Sequence, residues 1–375
     1  MELAQTDRLI RLYEDFGQSP WLDNLQRGYL TSGQLVALRD RGIRGLTSNP
    51  TIFQKAISGS ADYDEQFGGL AADENPTLDD YWALVLQDIN GACDVFDPVY
   101  QSSDGGDGYV SVEVDPGLAN DAPGTEAAAR GLHERLGRRN VMVKIPATAA
   151  GIAPIRQMLS EGRNINVTLI FSLDRYREVM EAYIGGLEAF AATDNGPDLS
   201  RVASVASFFI SRVDTEVDRR LEAIGTSEAL ALRGKAAVAQ GQLAYRQFQQ
   251  TFSGDRWDAL AAKGARVQRP LWASTSTKNP EYPDTLYVDH LIGPHTVNTL
   301  PDSTIEALVD HGTLVRTIDQ HVEAAEVVWQ SLAAVGVDMD DVAKQLEREG
   351  VSSFQKSFTE LIDALDAKSV ELRAG

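Results

Sequence analysis

Lys144 sits where a lysine is costly. It lies inside the apolar segment NVMVKIPAT, residues 140–148, with Val141, Met142, Val143 and Ile145 around it and Pro146 closing the run. Such a segment reads as a buried strand. An ammonium buried there without a partner is disfavoured, and desolvation lowers its pKa. A neutral amine attacks a carbonyl and forms a Schiff base. Taken alone, Lys144 is better read as a strand-end lysine whose head group reaches water. Its company along the chain favours the chemistry.

Polar residues recur at the ends of other apolar runs. Asp23 lies in WLDNL, and Asn49 follows the run that ends at Thr47. Glu113 interrupts VSVEVD. Asn166 and Thr168 stand two apart and so share one face of a strand. Ser207 and Phe209 do the same, with Arg212 just beyond. Ser276 and Lys278 lie in the polar stretch from Ser274 to Asn279. Each has an ordinary explanation. Asp23-Asn24 reads as a turn, and Asn49 before Pro50 as a helix N-cap with proline at N1. Glu113 reads as a solvent-facing strand residue, Asn166 and Thr168 as partners of backbone groups. Arg212 reads as a helix-surface partner of Asp214 or Glu216, and the stretch from Ser274 as a plain loop. What resists these readings is the set: acid, amide, acid, lysine, amide, then basic groups, at successive strand ends.

The elements that must hold them are short apolar runs alternating with helical patterns. Strands are predicted at residues 21–25, 43–47, 109–114, 141–145, 165–171, 202–210, 271–274 and, more weakly, 296–300. Helical patterns fall at residues 33–41, 77–95, 125–136, 152–160 and 174–192, and over 213–252 with a break near Gly225. The chain reads as helical almost throughout from Ser303, and residues 101–108, QSSDGGDG, read as a loop. Alternating strands and helices imply right-handed crossovers and a parallel sheet. About eight such units favour an α/β fold of the (β/α)8 TIM-barrel type, with additional N- and C-terminal helices. An open doubly wound sheet is the competitor, but no G-x-G-x-x-G follows a first strand. No Pro-, Ser- or Gly-rich linker divides the chain, so residues 1–375 are expected to form one domain, with strands over roughly 21–300 and a helical extension over 301–375. In such barrels chemistry gathers at the C-terminal ends of the strands, where the polar set falls.

Composition narrows the partners. The 375 residues are 43% hydrophobic, enough for a sizeable core, and carry a net charge of −21 from 34 basic and 55 acidic residues. That surface repels nucleic acid and anionic membranes, so neither is expected as a partner. Any phosphate site must therefore be a local positive island. The single cysteine, Cys93, excludes an intrachain disulfide and fits a reducing compartment. The N-terminal stretch MELAQTDRLIRLYEDFG is amphipathic and lacks the apolar core of a signal peptide. No apolar run is long enough to span a bilayer. A soluble, cytoplasmic protein is expected. His290 and His295 form the closest histidine pair, without an obvious third ligand, so no metal site is expected.

The polar set resembles the transaldolase family. The residues that carry the resemblance are GLTSNPTIF (45–53), VSVEVDP (110–116), VMVKIPAT (141–148), GRNINVTLIFSLDRY (162–176), ASFFISRVD (206–214) and WASTSTKNP (272–280), in the family's order. Length, WLDNL and GPHTVNTLP (293–301) are similar to the longer bacterial members. The resemblance implies a (β/α)8 barrel and a transferase that moves a dihydroxyacetone unit from sedoheptulose 7-phosphate to glyceraldehyde 3-phosphate, giving erythrose 4-phosphate and fructose 6-phosphate. This is the chemistry of the non-oxidative pentose phosphate pathway. It further implies Lys144 as the Schiff-base lysine, Glu113 as the acid acting through a water, Asp23 as the acid for the hydroxyl proton, and Thr168 as the hydroxyl holding that water. Asn49 and Asn166 would hold substrate hydroxyls, Ser207 and Phe209 line the pocket, and Arg212, Ser276 and Lys278 bind phosphate. At 278 some relatives carry arginine; lysine keeps the charge and loses the bidentate fork. The partners implied are small sugar phosphates. No cofactor is implied, since the imine is itself the electron sink. Monomer and homodimer are both left open. A late helix is expected, by resemblance, to cover the barrel mouth.

Overall fold

The computed structural model describes residues 8–71, 77–193 and 197–374. The first seven residues of the amphipathic N-terminal stretch lie outside them; the helix Arg8–Glu14 is its described part.

Eight strands form the frame: β1 (Gln18–Leu22), β2 (Leu46–Thr47), β3 (Val110–Glu113), β4 (Val141–Pro146), β5 (Ile165–Ile170), β6 (Ser204–Phe209), β7 (Arg269–Ala273) and β8 (Thr296–Leu300). They pair in sequence order, all parallel, and close when β8 pairs with β1 in a register running from Gln18↔Thr296 to Leu22↔Leu300. This is the closed (β/α)8 barrel. Strands covered by helices outside and by one another inside read as near-continuous apolar runs. That is why VMVKIP and INVTLI are legible in the sequence and buried along their whole length.

Differences from the expected elements have local causes. β1 begins at Gln18, not Trp21, because two polar residues open it. Both are buried and bonded: Gln18 Nε2 donates to Leu291 O at 2.7 Å and to Thr296 Oγ1 at 2.9 Å, and Ser19 donates to Asp107. Asp23 consequently stands just past the strand end, its N–H donating to Leu300 O at 2.9 Å. β2 keeps only two of the five expected residues. Gly45 before it lies against the Trp21 ring, where a Cβ would come within 2.6 Å. The helix Thr77–Ser102 continues through Pro98 into the expected loop, which then turns at Asp104 (φ 52°), Gly105 and Gly108. The break near Gly225 (φ 72°) is present, followed by the helices Ser227–Leu230 and Ala236–Thr251. The C-terminal extension holds the helices Asp302–His311, Val322–Ala334 and Met339–Ala374 with a non-helical connection over 312–321.

The last of these helices crosses the C-terminal ends of the strands. Ser357 meets Thr51 beyond β2 at 2.9 Å between hydroxyls, and Gln355 Nε2 donates to Pro116 O beyond β3 at 3.2 Å. Gly350 packs against Leu169 and Arg212, and Arg220 pairs with Asp341 at 2.8 Å. Phe358 sets its ring edge-on to Tyr81, 5.1 Å between centroids. Among the described residues no helix is long and apolar enough to cross a membrane.

Candidate active site

Lys144 points from β4 into the barrel, beside Glu113 of β3 and Asn166 of β5 in the strand register. Its Nζ donates to Ser48 O at 3.0 Å and stands 3.2 Å from Glu113 Oε2. Both side chains are buried, so the predicted lysine is not a strand-end residue reaching water. The Glu113 contact is a short ion contact poorly aligned for a hydrogen bond, and among the described residues the carboxylate has no other partner. Burial pushes the Glu113 carboxyl above its ordinary value, and the Lys144 ammonium pulls it back.

Thr168 follows on β5 and is fully buried, with an unpartnered Oγ1. Two features aim it. The β5–β6 register shifts between Val167 and Ile170, and Leu169 takes a left-handed φ of 59°. Leucine is strained there, and such strain persists only where packing over-determines it. Leu169 is buried under Gly350 of the C-terminal helix.

Above Lys144 opens a cavity of about 430 Å3. Asp23, Asn49, Thr168, Ser207, Phe209, Arg212, Ser276 and Lys278 line it together with Lys144. Glu113 and Asn166 do not line it. Glu113 meets it through Lys144, and Asn166 joins a buried chain in which Ser207 Oγ donates to Asn166 Oδ1 at 2.7 Å and Asn166 Nδ2 donates to Ser111 Oγ at 3.0 Å.

Asp23 accepts a hydrogen bond from Thr47 Oγ1 at 2.9 Å, and Thr47 in turn meets Thr299 Oγ1 at 2.6 Å. Burial raises the Asp23 carboxyl above its ordinary value against the pull of Lys144, Thr47, Arg212 and Lys278. Asn49 holds both roles read from the sequence. Its Oδ1 accepts from Ile52 N at 2.9 Å as the N-cap of the helix Pro50–Ser58, and Asn49 also lines the cavity, its Nδ2 without a hydrogen-bond partner among the described residues.

Arg212 does not take the surface partners that the sequence offered. Asp214 instead accepts from Ala237 N at 2.7 Å and Tyr287 Oη at 2.9 Å, and Glu216 is held by Arg219 and Arg220. Arg212 lies 5.2 Å over the Phe209 ring and makes no ion pair among the described residues. Lys278 is likewise unpaired and donates to Ser276 Oγ at 2.6 Å. Burial, and then Arg212, lower the Lys278 pKa. On a chain of charge −21, these cations form the local positive island that a phosphate requires.

Sequence reasoning missed several lining residues. Thr51, Ile52 and Lys55 come from one face of the helix after β2, and Ser353 and Phe354 from the C-terminal helix. The spacing 51, 52, 55 is readable as one helix face once Asn49 caps that helix. Nothing local marks Phe354. Among the described residues no group of three or more His, Cys, Asp or Glu side chains is placed to hold a metal.

The family model for transaldolase/fructose-6-phosphate aldolase matches residues 20–365. A transaldolase of Acidothermus cellulolyticus is 53% identical over 351 residues, covering 93% of this chain and 94% of the relative. One of Mycolicibacterium smegmatis is 50% identical over 367 residues, covering 96% and 97%. One of Thermobifida fusca is 51% identical over 351 residues, covering 93% and 95%. Matches of that extent take in the strands and the late helix alike, and on that ground the chain belongs to the transaldolase family.

Proposed function

We propose that the protein is a transaldolase that works through an imine on Lys144. It moves dihydroxyacetone from sedoheptulose 7-phosphate to glyceraldehyde 3-phosphate, giving erythrose 4-phosphate and fructose 6-phosphate. The observation that carries this reading is a buried lysine amine, 3.2 Å from a carboxylate without other hydrogen bonds, at the floor of a cavity lined with unpaired cations.

The donor ketose enters with its phosphate toward Arg212, Lys278 and Ser276. Lys144, as the free amine, attacks the ketone carbon, and the ketone oxygen leaves as water to give a protonated imine. Glu113 and Thr168 present buried polar atoms without a protein hydrogen-bond partner among the described residues, and a water bridging them relays the protons of these steps. The iminium draws electrons from the adjacent carbon–carbon bond. Asp23 takes the proton of the neighbouring hydroxyl as that bond breaks and the aldose phosphate departs. The three-carbon unit stays on Lys144 as an enamine until the acceptor aldehyde adds, after which the steps reverse and water releases the new ketose. Asn49 Nδ2 and the Ser207 hydroxyl hold substrate hydroxyls, and Asn166 fixes Ser207.

The family's printed description also covers an aldolase, which would release dihydroxyacetone without an acceptor. The relatives named transaldolase favour transfer. We further place the protein in the cytoplasm, as its substrates are small phosphorylated sugars and its one cysteine, Cys93, is free and buried.

Trapping tests the proposal. The protein is incubated with fructose 6-phosphate alone, reduced with borohydride and mapped by mass spectrometry. A three-carbon adduct on Lys144 that clears when an acceptor aldose is added before reduction is the expected result. A folded sample with no adduct on Lys144 would remove the imine, and an adduct that clears equally fast without acceptor would make the protein an aldolase.

A further inference from the structure

Besides Lys144, three cations line the cavity among the described residues, and the reaction above uses two of them for the phosphate. Arg212 enters from the helix after β6 and Lys278 from the loop after β7. Lys55 enters from the helix after β2, which the closed eight-strand order sets across the barrel from β6. Its position is fixed by its helix: Thr51 and Ile52 of the same face also line the cavity, and Thr51 is pinned to Ser357 at 2.9 Å. The Lys55 ammonium makes no hydrogen bond or ion pair among the described residues, and Asp23 is the only carboxylate among the described residues that line the cavity.

The three cations couple differently to the groups around them. Lys278 feels both Arg212 and Lys55. Asp23, beside the bond that breaks, feels Lys144, Arg212 and Lys278, and Lys55 does not figure among its main partners. Lys55 is exposed, stands on the wall across from Arg212, and couples to Asp23 less than the other two cations do. The two ketose donors differ in length: with the ketone carbon fixed on Lys144, the phosphate of a seven-carbon ketose stands one carbon farther out than that of a six-carbon ketose. A guanidinium over Phe209 and a lysine tied to Ser276 are held in place, whereas the Lys55 side chain, exposed and without a partner among the described residues, is free to follow that difference.

Resting on the reading of Lys144 as the imine lysine, we propose that Lys55 is the outer cation of the phosphate site and favours the seven-carbon ketose phosphate over the six-carbon one. The plainer role for Lys55, a cation complementing the dipole in the last turn of its helix, is blind to donor length.

The borohydride-trapped adduct on Lys144, measured against donor concentration without acceptor, gives a half-saturation value for each donor. Lys55→Met is expected to raise it about fivefold for sedoheptulose 7-phosphate and less than about twofold for fructose 6-phosphate. Lys55→Arg should restore the ratio, and about 0.5 M salt should shrink the difference. Lys263→Met, which removes an exposed lysine that does not line the cavity, is the control for loss of net charge. Equal shifts for both donors, no shift, or the same shift from Lys263→Met would overturn the proposal while leaving Lys144 in place. Absence of any adduct from the unmodified protein would overturn both.

Discussion

Replacing Asp214 by Asn should make the protein more resistant to unfolding in neutral and alkaline solution while leaving it nearly unchanged below about pH 4. Asp214 is almost fully buried at the start of the helix Ser211–Ile224, two residues from Arg212. It accepts from Ala237 N at 2.7 Å and from Tyr287 Oη at 2.9 Å, and Asp218 one turn on adds a like charge. Burial is the largest cause that raises its carboxyl from 3.8 to about 7, and the bond from Ala237 opposes it. A carboxyl that binds its proton more tightly in the fold than in the unfolded chain stabilises the fold while protonated in both. That contribution is present below the unfolded value and is lost as pH rises through the folded one. The window runs from pH 3.8 to about 7. At about 1.4 kcal/mol per pH unit, it amounts to about 4 kcal/mol. Asparagine removes the titration and keeps the contacts, since its Oδ1 can accept from Ala237 and its Nδ2 can donate to Tyr287. Urea midpoints at pH 5 and pH 8 check the reasoning. The variant should be about 2 kcal/mol more stable than the parent at pH 5, which already lies inside the window, and about 4 kcal/mol more stable at pH 8. A parent and variant with the same pH dependence would show that Asp214 ionises normally in the fold.

Three other substitutions separate the roles proposed for the site. Lys144→Arg should abolish turnover and the borohydride adduct, because a guanidinium is too basic to form the imine; wild-type-like activity would remove Lys144 from the mechanism. Arg212→Ala should raise KM for phosphorylated donors by about 10- to 100-fold, the loss of one or two charge-assisted hydrogen bonds, and act far less on kcat; a kcat effect at unchanged KM would contradict phosphate binding. Thr168→Val should lower kcat by about 100-fold while thermal stability holds or rises by about 1 kcal/mol, since the buried hydroxyl it removes has no protein partner; a large loss of stability would make Thr168 a structural residue.

The barrel is legible where its strands are buried on both faces. Runs such as VMVKIP stand out because two apolar faces leave no alternation to confuse with a helix. Strand ends are misplaced where polar residues serve the barrel interior. Gln18 and Ser19 open β1 because Leu291, Thr296 and Asp107 accept their hydrogen bonds, partners drawn from 88 to 278 residues away. No local pattern encodes that. Pro98 likewise suggests an end to a helix that continues to Ser102.

The site divides along the same line. Lys144, Glu113, Asn166, Thr168 and Ser207 sit on strands whose period of two fixes which side chains face inward, so the spacing of these residues already assigns them to one face. Residues contributed by helices carry no such marker. Lys55 is one of many charged residues on an acidic chain, and only its place on the cavity face of the helix Pro50–Ser58 separates it from the rest. Phe354 reaches the cavity from a helix that begins at Met339, well after the last strand, and it is buried there. That helix also packs Gly350 onto Leu169, the residue in left-handed conformation beside Thr168. A side chain at 350 would strike Leu169, since a Cβ there stands 3.0 Å from its methyl group. The helix that roofs the cavity therefore also holds the strained turn of β5 that aims Thr168. Closing the barrel mouth and shaping its floor are one packing event, so removing the roof should disturb the proposed proton relay as well as admit water.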